Sequence, residues 1–163
     1  MKFFVSKDIR ENRSLVTMLS GMMVMLLAYV SGSFWLMAES IGVDADTVKG
    51  NLLGSESMFT DPMELTAMVE MIHSAFFIGP IGIMIVVSIL LRLSRNDRAN
   101  LWVTVTLFGS FALMYGSLFL IRFVSEGWTA AYQVAMTGYH GVMALTSLWI
   151  VYRLWFGGES HGR

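Results

Sequence analysis

The stretch MIHSAFFIGPIGIMIVVSILL, residues 71–91, decides the fold. No charged residue lies between Glu70 and Arg92. As an α-helix rising about 1.5 Å per residue, about 20 residues cross the roughly 30 Å hydrocarbon layer of a membrane. Lipid offers no hydrogen bonds to the backbone, so a spanning segment must satisfy its own amide groups, as a helix does. This stretch therefore predicts a transmembrane helix.

Three other stretches of the chain share this absence of charge. They comprise residues 14–38, 99–121 and 127–152. The whole chain is 55% hydrophobic and 14% charged, whereas soluble domains carry roughly 25% charged residues. We therefore predict an all-α, integral membrane four-helix bundle forming a single domain over residues 1–163. Its spans lie at about 15–38, 65–92, 99–122 and 128–153, and residues 39–61 form an outward loop.

The basic residues predict the orientation of the bundle. They concentrate in the N-terminal tail, in the loop between the second and third spans, and at the C-terminal end, at Lys2, Lys7, Arg10, Arg13, Arg92, Arg95, Arg98, Arg153 and Arg163. Only Lys49 and Arg122 fall on the other side. Cytoplasmic loops carry the excess of positive charge, so both termini are expected in the cytoplasm, with a bacterial inner membrane as the location.

Composition excludes several classes of function. The chain has no cysteine, which removes disulfides, thiolate metal sites, covalently attached haem and cysteine nucleophiles. We find no phosphate-binding loop or nucleophile triad. The basic residues are those that topology requires, so no nucleic acid is expected as a partner. Whether the protein is an enzyme stays open at this stage.

The second span begins and bends at prolines. Asp61 followed by Pro62 is typical of a helix start, which predicts a helix from Pro62 to about residue 93. Pro80 removes one backbone donor and frees the carbonyl group of Phe76, so we expect a bend there.

Two histidines lie inside predicted spans, and each is costly there unless it is ligated, hydrogen-bonded or hydrated. Helical spacing puts Glu70, His73, Phe77, Pro80 and Met84 on one face of the second helix. In the fourth helix, the same spacing groups His140 with small and polar residues at Gln133, Thr137, Ala144 and Ser147. The competing explanation for each histidine is a neutral imidazole hydrogen-bonded to another helix.

A shared ligand would explain both histidines together. Imidazole suits iron, so His73 and His140 are candidate axial ligands of one b-type haem. Small residues at Gly79, Gly138 and Gly141 would make room for the macrocycle, with close helix packing as the simpler explanation of the glycines. Arg122 would pair with the propionates; alternatively it is an interfacial anchor or an i,i+4 partner of Glu126.

Copper is the alternative metal. A single ion held by Glu70, His73 and His140 is possible, and soft thioethers that favour Cu(I) lie near the same end of the bundle, at Met58, Met63, Met68 and Met71. Fourteen methionines are spread over the chain, however, which favours most of them as apolar filler. The tail residue His161 is not a credible further ligand.

The segments MIHSAFFIGPIG, residues 71–82, and TGYHGVMALTSLWIVYRL, residues 137–154, carry a resemblance. Each places a histidine and neighbouring glycines in a span. In this the chain resembles small bacterial four-helix membrane proteins of the b-type cytochrome kind and, more loosely, the copper-resistance D-like group. The resemblance implies a haem or copper site. Cytochromes of this kind carry more intramembrane histidines for two haems, and two histidines suffice for one.

Three functional hypotheses follow. The first is a membrane redox protein or subunit that binds haem between the second and fourth helices and exchanges electrons with quinol or a partner subunit. The second is a non-enzymatic accessory or assembly subunit of a membrane complex. The third is a copper-handling membrane protein. All three expect membrane lipid and other membrane subunits or quinone as partners.

Overall fold

A computed structural model describes residue 9 and residues 12–56 and 59–157. In this part of the chain, four long helices and one short one follow one another. They are α1 (Arg13–Ser40), α2 (Ala45–Leu53), α3 (Leu65–Leu93), α4 (Asp97–Phe123) and α5 (Thr129–Phe156). A 3-10 helix, Glu126–Trp128, leads into α5. Lys2, Lys7, Arg10, Met58, His161 and Arg163, which the predictions above invoke, lie outside the described residues.

The four predicted transmembrane helices are confirmed as α1, α3, α4 and α5. Each is long and apolar enough to cross a membrane, with a mean hydropathy between 1.3 and 2.4 in its most apolar window. Less than half of each window is buried inside the molecule, as expected for helices that also face lipid. The protein is therefore an integral membrane protein built as an all-α bundle. Its orientation across the membrane stays a prediction.

Short polar residues begin three of the helices. The side chain of Asn12 accepts a hydrogen bond from the amide of Leu15, and that of Asn96 accepts one from Ala99. Asp44 does the same for Thr47 at the start of α2. These caps satisfy amide groups that have no partner within the helix. Gly42, with a φ of +108°, allows the sharp turn between α1 and α2.

The start of α3 differs from the prediction. The helix begins at Leu65 and not at Pro62, and its capping residue Glu64 makes no side-chain cap hydrogen bond. Residues 61–64 are extended because this segment is tied to α2: the amide of Met63 donates to the carbonyl of Asn51 at 3.0 Å. The helix then runs continuously to Leu93 with Pro80 inside it. The bend at Pro80 stays a prediction.

The other three membrane helices all pack against α5, and α3 also packs against α4. α5 therefore lies at the centre of the contacts. α1 is more peripheral: only Val16, Met23, Val30 and Met37 of this helix are buried, at a spacing of seven residues. This spacing produces one narrow stripe toward the bundle, so the rest of α1 is left facing lipid.

Candidate functional site

The predicted outward loop is a folded cap segment, residues 41–56 and 59–64, over one end of the bundle. Its helix α2 packs against α4 and α5, and Ile41, Val48 and Leu52 are completely buried there. Its backbone carbonyls also receive side-chain donors from other elements. Gln133 of α5 donates to the carbonyl of Val43 at 2.8 Å. The predicted outward loop thus contains a helix that packs on the bundle.

Arg122, near the end of α4, is bonded to this cap segment. Its guanidinium donates a hydrogen bond to the carbonyl oxygen of Leu52, in the last turn of α2. Carbonyl groups in the last turn of a helix have no partner within it, and a cation there also interacts favourably with the helix dipole. The structure thus gives Arg122 a structural partner in place of a propionate. The pair expected with Glu126 is also not seen, because Lys49 pairs with Glu126 at 3.2 Å.

His140 is buried in the bundle, and one of its ring nitrogens has no partner. Its Nδ1 lies 2.8 Å from the carbonyl oxygen of Met136, one turn earlier in α5. A carbonyl oxygen only accepts hydrogen bonds, so Nδ1 carries the proton. Nε2 then holds a free lone pair, and it is buried without a hydrogen-bond partner. The ring packs edge-on against Phe34 of α1, with ring centres 5.4 Å apart.

His73 has the opposite environment. It is exposed on the lipid-facing side of α3, together with Glu70, Phe77 and Met84 of the face that helical spacing predicted. Glu70 and His73 have no hydrogen-bond or ion-pair partner among the described residues. An imidazole without a partner is costly in the hydrocarbon layer, where lipid offers no hydrogen bonds.

A groove between α3 and α4 lies beside His73. α3 contributes Val69, Ile72, His73 and Phe76 to its walls. α4 contributes Tyr115, Gly116 and Phe119. The groove has a volume of about 330 Å³. We call it the α3–α4 groove. It brings His73 together with aromatic rings of α4, and it does not include His140.

An aromatic layer extends from the groove beside His73 to the ring of His140. It consists of Phe76, Phe111, Tyr115 and Tyr139, whose rings touch one another at centre-to-centre distances of 5.0 to 5.9 Å. Phe76 and Tyr115 line the groove beside His73 at one end. At the other end, the ring of Tyr139 lies 4.9 Å from that of His140. A continuous series of ring contacts therefore runs from the groove beside His73 to His140.

The three glycines proposed to make room for a macrocycle have different surroundings. A methyl group added at Gly79 would come within 2.2 Å of the Phe111 ring, so the space beside this glycine is already occupied. At Gly138 the nearest atom would be the Cβ of Ser110 at 3.7 Å, which is ordinary helix packing. Gly141 is exposed and has nothing within 4 Å. The three do not form one cradle.

These positions do not fit one haem bridged between His73 and His140 within a single copy of the chain. His73 is exposed and lines the α3–α4 groove, whereas His140 is buried and does not line it, and Arg122 is hydrogen-bonded to α2. Nor do three or more acidic or histidine side chains come together as a metal-binding group anywhere in the described ranges. His140 on its own can serve as a metal ligand, because its Nδ1 proton is bonded to a backbone carbonyl and its Nε2 lone pair is free.

Sequence reasoning missed the contribution of α4. Only Arg122 of this helix was considered as a site residue, yet Phe111 and Tyr115 belong to the aromatic layer and Tyr115 and Phe119 line the α3–α4 groove. Their spacing of four residues was the available signal, because it puts three rings on one helical face. That face was not distinguishable from ordinary apolar packing without the neighbouring helices.

Comparison with known proteins gives a family. Residues 42–161 match the model of the Aq_1264_TM family, a transmembrane helical domain. The match covers most of the chain, and the chain belongs to this family. It includes α2, α3, α4 and α5, while α1 lies outside the matched range. Neither the curated proteins nor the solved structures gave a match.

Proposed function

We propose that this protein is a non-enzymatic accessory subunit of a membrane complex, located in a bacterial inner membrane. The observation that carries the proposal is the aromatic layer. It joins Phe76, Phe111, Tyr115 and Tyr139 in direct ring contact, from the open groove beside His73 to the neighbourhood of the buried His140. In a protein with packed rings at this place, the outer faces are the surfaces that partners can bind.

The distribution of polar groups supports the same proposal. An active site brings several titratable groups to one concave place. Here Glu70 and His73 face lipid on α3, whereas His140 lies on the α1 side of α5. Arg122 and Lys49 are engaged in the cap segment. Arg122 and Lys49 thus stabilise the fold and Glu70 and His73 face outward, while the buried Nε2 of His140 and hydroxyl of Tyr132 have no partner. No three acidic or histidine side chains of the described residues come together as one group.

The experiment has two arms. In the first, native membranes are solubilised gently and the protein is analysed by native mass spectrometry. We expect one assembly in which this chain and other membrane polypeptides occur in fixed stoichiometry, and we expect removal of the chain to lower the amount of that assembly. A chain that runs alone, and whose removal leaves every other membrane complex unchanged, would contradict the proposal.

In the second arm the chain is purified alone and its reduced-minus-oxidised absorption spectrum is recorded. The accessory function expects a folded protein without a haem Soret band. A second candidate function, the haem redox protein, draws on one observation: the Nε2 of His140 is buried without a hydrogen-bond partner, so His140 would be the residue that holds the haem iron. Bound haem would supply electron transfer, and Met136 would hold the ligating ring in place.

Alanine variants separate the two functions. If haem is retained at one per chain and His140→Ala loses it while His161→Ala does not, the haem function replaces the accessory one. If both His73→Ala and His140→Ala lose it, the two histidines share a ligand despite the aromatic layer. A copper function predicts instead that Glu70→Ala weakens metal retention as much as His73→Ala. A colourless, metal-free chain that assembles with partners supports the accessory function.

A further inference from the structure

We propose that the α3–α4 groove binds the ring of a lipid-soluble quinone or of its hydroquinone. This inference goes beyond the accessory function and does not rest on it, because it concerns a site within one copy of the chain. It starts from the two features that the packing leaves unexplained, namely a groove open toward lipid and a histidine in its wall without a partner.

The shape of the groove suits a flat ring. Its volume of about 330 Å³ lies at the lower end of the range for ligand pockets, roughly 300–1,000 Å³. Phe76 and Phe119 provide aromatic walls, and both are partly exposed where they border it. A Cβ added at Gly116 would meet nothing within 4 Å, so the wall formed by α4 is open at this residue. Aromatic walls favour a planar, unsaturated ligand over a branched one.

The polar group of the groove is a single imidazole. The Tyr115 hydroxyl is bonded to the sulfur of Met37 at 3.6 Å, so the groove meets its ring and not its hydroxyl. His73 therefore remains as the one free hydrogen-bonding side chain in the wall. A neutral imidazole has one donor and one acceptor nitrogen. It can donate to the carbonyl of a quinone or accept from the hydroxyl of a hydroquinone, so one residue serves both forms.

The position of the groove suits a ligand that arrives from the bilayer. His73 is eight residues from the first residue of α3, which is about 12 Å along the helix axis. The α3 side chains around it face lipid, so an apolar tail can remain in the membrane while the ring occupies the groove. An acyl chain would fill the groove but leave the imidazole without a partner. A lipid phosphate is disfavoured because Glu70 lies one turn away on the same face.

The test uses the full chain in nanodiscs of phosphatidylethanolamine and phosphatidylglycerol, with a decyl-substituted benzoquinone as the probe. Binding is measured by equilibrium partition against empty nanodiscs, and an azido derivative of the probe maps the site by mass spectrometry of the labelled peptides. We expect saturable binding above that of empty discs, with label on residues of the α3–α4 groove.

Two independent variants address the groove. His73→Leu removes the hydrogen bond and is expected to weaken binding about tenfold, while His73→Gln, which keeps a donor and an acceptor, retains most of it. Gly116→Leu fills the open part of the wall and should weaken binding at least as much. Phe77→Leu is the matched control, because Phe77 is exposed to lipid on α3 outside the groove. It should bind as the natural chain does.

Several outcomes would overturn the proposal. They are binding no greater than that of empty discs, label confined to other helices, or unchanged binding in both His73→Leu and Gly116→Leu. A phospholipid that stays with the chain in native mass spectrometry and is not displaced by the probe would assign the groove to lipid. Because the assay needs no partner protein, its failure leaves the accessory function untouched, and failure of the accessory function leaves this site standing.

Discussion

The polar side chains at the cap segment have hydrogen-bond partners, whereas the histidine nitrogens beside the aromatic layer lack them. Three side chains donate hydrogen bonds to backbone carbonyls of the cap segment. They are Arg122 of α4, Asn51 of α2 and Gln133 of α5. In the layer of the bundle around the four aromatic rings, His73 and the Nε2 of His140 have no such partner. Polar groups of the cap segment are thus explained by folding alone, whereas those beside the aromatic layer are not. The polar groups beside the aromatic layer are therefore the better candidates for a function.

The sharpest test of the aromatic layer is Gly79→Ala. The added methyl group would lie 2.2 Å from the Phe111 ring, so either the ring or α3 must move. Overpacking of this kind lowers the free energy of unfolding by about 1–3 kcal/mol. Thermal unfolding in detergent measures it. Gly109→Ala is the control, because a methyl group there meets nothing within 4 Å and is expected to be neutral or slightly stabilising. Equal stability of the two variants would mean that the layer is not packed as described.

In the cap segment the largest effect is expected from Arg122→Met. It leaves the Leu52 carbonyl without its charged donor, which should lower the free energy of unfolding by about 1.5 kcal/mol. Hydrogen exchange should speed up in α2 and not in α3. Arg98→Met, at an exposed position at the other end of α4, serves as the control. Unchanged exchange in α2 would show that Arg122 does not hold this helix, and would reopen its role toward an anionic ligand.

A smaller effect is expected from Lys49→Met. Lys49 pairs with Glu126 at 3.2 Å, but both side chains are substantially exposed to solvent. Exposed ion pairs contribute less than about 1 kcal/mol and are screened by salt. The difference from the natural chain should therefore shrink at high ionic strength. A loss as large as that of Arg122→Met would indicate that the cap segment is held by its charges and not by its hydrogen bonds to carbonyl groups.

The smallest effect concerns pH. The hydrogen bonds from the Thr47 hydroxyl and amide hold the pKa of Asp44 below its usual range. A lowered folded-state pKa means that Asp44 stabilises α2 fully above its ordinary pKa, and that this contribution is lost as the pH falls through the lowered value. Exchange of the α2 amides should therefore become more acid-sensitive with Asp44 than with Asp44→Ser, which caps without titrating. Identical acid dependence in the two chains would contradict the assignment of this cap.

The sequence predicts the helices well because length and absence of charge suffice to identify a span. It also predicts that Glu70, His73, Phe77 and Met84 share a face, because helical spacing determines this. It does not predict whether that face points into the bundle or toward lipid. The direction depends on α4, where Phe111 enters the space beside Gly79 and Tyr115 reaches Met37. Such contacts join residues far apart in the chain, so the two histidines looked equivalent in sequence although one is exposed and the other buried.

The central claim, that His73 is exposed whereas His140 is buried, can be tested directly because the chain has no cysteine. Single cysteines are placed at position 73 or 140, and their reaction with a lipid-soluble maleimide is followed in nanodiscs. Phe77→Cys, which is exposed, and Met143→Cys, which is buried, calibrate the fast and slow limits. We expect His73→Cys to react as fast as the exposed reference and His140→Cys as slowly as the buried one. Equal rates at 73 and 140 would contradict the account and return the two histidines to a shared environment.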